Sequence, residues 1–210
     1  MKKFIILLSL SLVYLISGAQ TQITLLPPQK KGGMPLMEAL SKRSTSRAFD
    51  TKELTNQQLS NLLWAAFGIN RPDGRRTAPS ARNYQETDIY VLLKQGAYIY
   101  DAKNHQLNQV LAEDIRNLGG VQPFVKDAPV TLIYVADLSK LGDGKDEDKK
   151  NTANIDVGFI SQNVYLYCSS EGLATGARGS IERIALAPKL KLKETQVIIL
   201  AQSVGYPKKD

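Results

Sequence analysis

The stretch NIDVGFISQNVYLYCSSE at residues 154–171 decides the fold, because it has the pattern of a long helix. Ile155, Phe159, Gln162 and Leu166 recur at spacings of three and four residues, and Gly172 follows as a terminator. The spacing predicts a long, largely buried helix with these four side chains on one stripe.

The segments on either side of this helix predict a sheet. Residues 130–136 and 197–203 are apolar, β-branched runs of the length of buried strands. Residues 88–93 predict another strand, and residues 97–100 are expected to face residues 106–110 across a hairpin. We therefore expect an α+β fold in which helices pack on a mixed central β-sheet.

Two more helices are predicted before the sheet. Thr55 and Gln58 have the spacing of a capping box, so residues 56–67 are expected to form a helix that ends at Gly68. A shorter helix is expected over residues 35–42. The strongly polar residues 141–151 are expected to form a mobile surface loop.

The N-terminus has the three parts of a secretory signal peptide. Lys2 and Lys3 precede an apolar run at residues 4–16, and Ser17-Gly18-Ala19 offers a cleavage site before Gln20. The run is shorter than the roughly 20 residues that a membrane anchor needs. We expect a signal peptide at residues 1–19, a linker at 20–34 and one domain at 35–210. The product would be exported, with the periplasm as its location and no membrane attachment after cleavage.

Composition excludes several classes of protein and site. Cleavage lowers the net charge from +7 to +5, and the basic residues are scattered, so a nucleic-acid partner is not expected. Cys168 is the one cysteine and is interpreted as a core residue; His105 is the one histidine and is placed in an exposed turn. A metal site, a Cys-His dyad and a Ser-His-Asp triad are therefore not expected, and no catalytic side chain is assigned. The chemistry is expected to need a cofactor.

The first of three polar motifs covers residues 43–47. Arg43 and Arg47 flank three hydroxyl side chains, Ser44, Thr45 and Ser46. A guanidinium presents a planar fork of donors that matches phosphate oxygens, so this motif suits a phosphate ester. A solvated polar turn is the alternative interpretation.

The second motif covers residues 75–85 and the third covers residues 172–179. In the second motif Pro79, Ser80 and Ala81 would let the backbone approach a flat ligand, and the amides of Asn83 and Gln85 suit an imide-like edge. In the third motif three glycines expose backbone N–H groups. The alternatives are an ordinary loop before a strand, and a helix end followed by a turn.

In chain order, these motifs resemble the sequence blocks of FMN-dependent nitroreductases, especially the branch with the azoline-oxidising dehydrogenases. Arg43, Thr45, Arg47, Phe49 and Asp50 match the opening block, and the second motif matches the next one. Similar later blocks occur at residues 128–130, 156–158, 162–163, 172–173 and 205–207.

The resemblance implies bound FMN, a small-molecule substrate and a homodimer with FMN at the subunit interface. Under it, Arg43, Ser44, Thr45 and Arg47 would hold the phosphate and ribityl chain, with Lys208 or Lys209 as a further contact. Pro79, Ser80, Ala81 and Asn83 would line the ring, with Asn83 at its pyrimidine edge. Arg178 and Gly179 would lie by the flavin N5. Arg82 and Arg178 depart from the family pattern, and our own hypothesis is that their positive charge near the ring stabilises the anionic reduced flavin and raises its reduction potential.

The expected function is therefore that of an FMN-dependent oxidoreductase, passing hydride or electrons to a small substrate such as a nitroaromatic compound or a quinone. The substrate is expected under residues 118–124, where Phe124 is either a substrate contact or a core residue. Three alternatives are an oxidative dehydrogenase acting on a peptide or metabolite, a non-catalytic flavin- or ligand-binding module, and an exported interaction protein without a cofactor.

Overall fold

A seven-stranded antiparallel sheet forms the centre of the computed structural model, which describes residues 22–208. The predicted signal peptide, residues 1–19, and Lys209 lie outside the described residues. Four helices accompany the sheet, which confirms the α+β class. The strands are β1 (Gln22–Thr24), β2 (Thr87–Leu93), β3 (Gly96–Asp101), β4 (Gln106–Leu111), β5 (Val130–Asp137), β6 (Ala174–Arg178) and β7 (Gln196–Gly205). The helices are α1 (Leu36–Lys42), α2 (Asn56–Phe67), α3 (Asp146–Ser170) and α4 (Arg183–Lys189).

The order of strands across the sheet is β1-β4-β3-β2-β5-β7-β6, and each described pairing is antiparallel. The expectation of a mixed sheet was therefore wrong. A helix that joins two strands commonly makes them parallel neighbours. Here α3 joins β5 to β6, which do point in the same direction, but β7 inserts between them and pairs with both.

The two faces of the sheet build separate cores. On one face Leu132, Tyr134 and Val204 belong to the cluster that includes the buried sides of α2 and α3. On the other face Ile133 and Ala201 pack with residues of α4 and of the short 3₁₀ turn Arg116–Gly119. The sheet thus separates a helical layer from a thinner layer of short turns.

Helix α3 begins at Asp146, earlier than predicted, so residues 146–151 are helical and the prediction of a loop there was wrong. Its first turn holds Asp146, Glu147 and Asp148. Three carboxylates at a helix N-terminus interact favourably with the exposed N–H groups and the helix dipole. The polarity that suggested a loop therefore stabilises the start of the helix.

The buried stripe of α3 is not the predicted one. Ile155 and Phe159 are 61% and 47% exposed. The buried side instead carries Ala153, Val157, Ile160, Val164 and Cys168. Both stripes are apolar, so periodicity could not distinguish the side that faces the sheet from the side that faces outward.

Several local predictions are confirmed. The capping box of α2 is complete, since Thr55 Oγ1 accepts from Gln58 N and Gln58 Oε1 accepts from Thr55 N. The strands at residues 88–93, 130–136 and 197–203 and the β3–β4 hairpin are present. Cys168 is fully buried, and burial raises the pKa of its thiol. Separately from these predictions, no helix within residues 22–208 is long and apolar enough to span a bilayer.

The environment of His105 differs from the prediction. The residue does lie in the β3–β4 turn, but its side chain is half-buried rather than exposed. Its Nδ1 is 2.9 Å from the Tyr100 hydroxyl and its Nε2 is 2.7 Å from Ser60 Oγ. Burial lowers the pKa of the imidazole. His105 therefore ties the turn to α2 and has a structural role.

Candidate functional site

The third motif forms strand β6, which lies at the edge of the sheet, so its interpretation as a helix end and turn holds only for Gly172. Gly172 has a φ of +66° just after α3. Gly176 and Arg178 are in register with Ser203 and Ala201 of β7. The backbone groups of Thr175 and Ala177 face away from the sheet, where they bond Ser46 and Tyr165, because strand residues alternate in the direction of their hydrogen bonds.

The first motif runs along this outer edge. Ser46 N donates to Thr175 O over 2.8 Å. A Cβ at position 176 would lie 2.5 Å from Ser46 O, so only glycine permits this approach. The first and third motifs, predicted separately, are thus in direct contact.

Tyr165 of α3 connects the two motifs. Its hydroxyl accepts from Ala177 N over 2.9 Å and lies 3.1 Å from Thr45 Oγ1. The guanidinium of Arg43 lies over its ring, 5.3 Å from the centroid. The sequence reasoning missed Tyr165; the available signal was a polar aromatic residue between two apolar residues of the helix.

Basic groups collect along the same stretch of chain. Phe49 forms a β-bridge with Pro207, and Asp50 N donates to Tyr206 O over 2.9 Å, so Lys208 lies beside the first motif. Among residues 22–208, no carboxylate forms an ion pair with Arg43, Arg47 or Lys208. These cations and the exposed hydroxyls of Ser44 and Thr45 provide donors suited to a phosphate group.

Beyond the contact with Ser46, the outer edge of β6 has no strand partner within residues 22–208. Gly179 directly follows the strand and is exposed, so its backbone is accessible to a ligand. An unpaired backbone donor at a strand edge can bond a ligand nitrogen or oxygen.

The side chain of Arg178 does not lie along the outer edge of β6. It lies under the segment of residues 118–124. Its Nε donates to Gly119 O over 2.8 Å and its Nη1 to Ser203 Oγ over 2.9 Å. The ring of Phe124 is 5.9 Å from its guanidinium carbon and 6.0 Å from the ring of Phe49. Phe124 is half-buried, so it packs on the core and still reaches the surface.

The second motif forms a loop held by internal hydrogen bonds. Ser80 Oγ accepts from Gln85 N over 3.0 Å. The amide of Gln85 accepts from Arg76 Nε and donates to Gly74 O and Asn83 Oδ1. Gln85 therefore holds the loop together, and the expectation that its amide recognises a ligand is not supported by these contacts.

The same loop contains three non-glycine residues in the left-handed region of backbone conformation. Arg82, Asn83 and Gln85 have φ values of 48°, 58° and 48°. Such conformations cost free energy and are concentrated at functional sites. Arg82 and Asn83 are both exposed.

Helix α3 separates the second motif from the other two. Ala81 N donates to Asp156 Oδ2 over 2.8 Å, whereas the other motifs meet α3 at Tyr165. A separation of nine residues along a helix is about 13 Å and about half a turn in direction. One chain thus brings together Arg43, Ser44, Thr45, Arg47, Arg178, Gly179 and Lys208, but not Pro79, Ser80, Ala81 and Asn83.

Comparison with known proteins identifies the family. The model of the nitroreductase family matches residues 40–206. A predicted nitroreductase from Ralstonia eutropha JMP134 is 39% identical, with a TM-score of 0.85 and 90% of each chain covered. A predicted nitroreductase from Methanocaldococcus jannaschii is 29% identical over 79% of this chain and 88% of its own.

A more distant solved structure shares the fold. The NADPH:FMN oxidoreductase from Vibrio harveyi, in complex with NAD+, is 18% identical, with a TM-score of 0.62 over 83% of this chain and 69% of its own. With the family model spanning most of the domain and the Ralstonia protein similar along nearly its whole length, this chain belongs to the nitroreductase family of oxidoreductases.

Proposed function

We propose that this protein is an FMN-dependent oxidoreductase that passes hydride or electrons between a reductant and a small substrate, such as a nitroaromatic compound or a quinone. The observation that carries the proposal is a cluster of groups beside the outer edge of β6. It consists of exposed hydroxyls and of cations that form no ion pair within residues 22–208. It combines a place for a phosphate with a backbone donor for a heterocycle.

The chain's own groups fit FMN. Arg43, Arg47 and Lys208 would neutralise its phosphate, and Ser44 and Thr45 would donate to the phosphate and ribityl oxygens. Gly179 N–H would meet the ring near N5. When bound, FMN would supply the two-electron chemistry, for which the chain needs no catalytic acid or base.

The second motif would complete the site from a second copy of the chain. Within one chain, Pro79, Ser80, Ala81 and Asn83 lie on the far side of α3 from the basic cluster. The outward faces of α1 and α3 carry apolar side chains that a homodimer would cover. These are Leu36, Met37, Leu40, Ile155 and Phe159, each between 43% and 76% exposed.

The proposed location constrains the electron donor. Export after removal of residues 1–19 would place the protein in the periplasm, away from the cytosolic pool of NAD(P)H. A different reductant would then be needed, or the flavin would run oxidatively on a peptide or metabolite. Substrate would approach beneath residues 118–124, where Phe124 reaches the surface.

An absorbance spectrum tests the cofactor. The mature chain, residues 20–210, is incubated with FMN and desalted. Retained flavin bands at about 370 and 450 nm would support the proposal. A double variant, Arg43→Gln with Arg47→Gln, should bind FMN at least about tenfold more weakly, since a hydrogen bond to a charged group contributes about 1.5–3 kcal/mol.

Lys189→Gln provides the control, because Lys189 is an exposed cation that pairs with Glu113 and belongs to none of the three motifs. It should bind FMN like the wild type. A folded wild-type protein that stays colourless would contradict the proposal and favour an interaction protein without a cofactor. Reoxidation of the dithionite-reduced protein by a nitroaromatic compound or a quinone would then support the reductive role. Reduction of the flavin in the oxidised protein by a thiazoline would support the oxidative role.

A further inference from the structure

Within the part of the chain that the structure describes, Arg178 is a buried arginine without a counter-ion. The residue is only 9% exposed. Nε and Nη1 donate to Gly119 O and Ser203 Oγ, which are both neutral acceptors, whereas Nη2 is buried without a hydrogen-bond partner. Within residues 22–208, no carboxylate lies within 4.0 Å of the guanidinium.

The surrounding chain is shaped to admit this side chain. A Cβ at Gly120 would lie 2.3 Å from Arg178 Nε, and one at Gly119 would lie 3.5 Å from Nη2 and 2.7 Å from Thr131 Cγ2. Two consecutive glycines therefore leave the space that the guanidinium occupies. Gln122, in the same segment, has a buried Oε1 that likewise lacks a partner.

An unpaired buried charge is costly. Taking a guanidinium out of water without an opposite charge destabilises a protein, because the interior does not replace the lost hydration. Burial lowers the pKa of Arg178 to about 10, which still leaves the group charged at neutral pH. Arg116, the arginine at the start of the same segment, pairs with Asp114 over 2.7 Å. The missing negative charge at Arg178 therefore needs another source.

We propose that the guanidinium of Arg178 acts as a positioning charge behind the edge of β6, and that it favours the reduced over the oxidised form of a flavin bound at that edge. This inference rests on the proposed function. Arg178 immediately precedes Gly179, the exposed residue at the end of β6 that the proposed function places beside the flavin, so the charge lies one residue from the proposed contact. Oxidised flavin is neutral, and uptake of a hydride equivalent (two electrons and one proton) gives it one net negative charge. That charge is the partner the buried cation lacks.

The test is the midpoint potential of bound FMN, titrated with dithionite against a reference dye in Arg178→Met and the wild type. We expect the ratio of the affinity for oxidised FMN to the affinity for reduced FMN to be at least tenfold higher in Arg178→Met than in the wild type. For a two-electron couple, a tenfold change corresponds to about 30 mV toward lower potential. Arg178→Lys, which keeps the charge, should retain most of the wild-type value.

A second variant neutralises the charge of Arg178 without removing its side chain. Ser203 Oγ is 2.9 Å from Arg178 Nη1, so Ser203→Asp would place a carboxylate beside the guanidinium and neutralise it. Its potential should fall in the same direction, and this measurement stands even if Arg178→Met does not fold. Arg116→Met is the matched control, since the Asp114 carboxylate that it leaves unpaired is 39% exposed and screened by water, so its potential should fall far less than that of Arg178→Met.

The outcomes separate this inference from the proposed function. Unchanged potentials in FMN-loaded Arg178→Met or Ser203→Asp would overturn the role of Arg178 while leaving the flavin site intact. An equal fall in Arg116→Met would overturn it too, because the effect would then not depend on the unpaired charge. Failure of the wild type to bind FMN would instead remove the proposed function.

Discussion

At the scale of single residues, Tyr165 joins helix α3, the first motif and strand β6 through one hydroxyl group. That hydroxyl is 2.9 Å from Ala177 N and 3.1 Å from Thr45 Oγ1. In Tyr165→Phe, Ala177 N–H loses its partner, so we expect the free energy of unfolding to fall by about 1 kcal/mol. Chemical denaturation measures this loss. Faster hydrogen exchange at the Ala177 amide would localise it, and unchanged exchange would contradict the assigned contact.

Glu86 provides a residue-scale prediction about pH. It is fully buried, one of its oxygens has no partner, and burial, with Asp156 as a smaller cause, raises its pKa. The pKa of a glutamate carboxyl is about 4.3 in an unfolded chain. When folding raises this pKa, the protonated carboxyl stabilises the folded state, and the full contribution is present at pH values below about 4.3. This contribution is lost as pH rises through the folded pKa.

Glu86→Gln removes the ionisation and should therefore stabilise the protein at neutral pH. We expect Tm at pH 7.5 to rise by about 2–4 °C, the effect of about 1 kcal/mol in a protein of this size. The gain should shrink at pH 4, where the wild-type carboxyl is protonated. Scanning calorimetry of both proteins at the two pH values provides the comparison, and an equal gain at both would show that ionisation is not the cause.

At the scale of elements, helix α2 depends on its N-terminal cap. Thr55 Oγ1 accepts from Gln58 N over 3.2 Å, and this bond satisfies one of the free N–H groups of the first turn. Thr55→Ala should lower the free energy of unfolding by about 1 kcal/mol. Urea denaturation tests this, with the exposed Thr51→Ala, which lies outside the helix, as the control. Equal losses in the two variants would mean that the cap does not stabilise α2.

At the scale of the whole molecule, the divided site and the exposed apolar face of α3 lead to the same prediction. Phe159 is 47% exposed on the side of α3 that faces away from the sheet. If a homodimer covers this side, Phe159→Asp should convert the dimer to a monomer, because a charge would be buried without a partner. The monomer should also lose FMN affinity, since the second motif of the other copy would be absent.

Sedimentation velocity measures the state of assembly. Ile184→Asp is the control, because Ile184 is 95% exposed on α4 and lies outside the proposed interface. It should leave the dimer unchanged. A wild-type protein that sediments as a monomer, or a Phe159→Asp variant that remains dimeric, would contradict the proposed interface.

The sequence by itself determined the features that depend on neighbouring residues. The capping box and apolar spacing of α2 predicted its bounds, since helix signals act within a few residues. The β-branched runs predicted β5 and β7, and the polar motifs in their order predicted the family. Arg43, Thr45, Arg47 and Gly179 were named from residue types and resemblance alone, and the structure places them along one edge of the sheet.

The tertiary structure decided what depends on long-range packing. Helix α3 is apolar on two sides, and only contact with the sheet selects Val157 and Ile160 for burial and leaves Phe159 outside. The insertion of β7 between β5 and β6 makes the sheet antiparallel. The same packing separates Ala81 from Tyr165 along α3 and leaves Arg178 buried without a counter-ion. These features depend on which surfaces from distant parts of the chain pack together. The free energy of that packing comes from many contacts, so no short stretch of sequence predicts it.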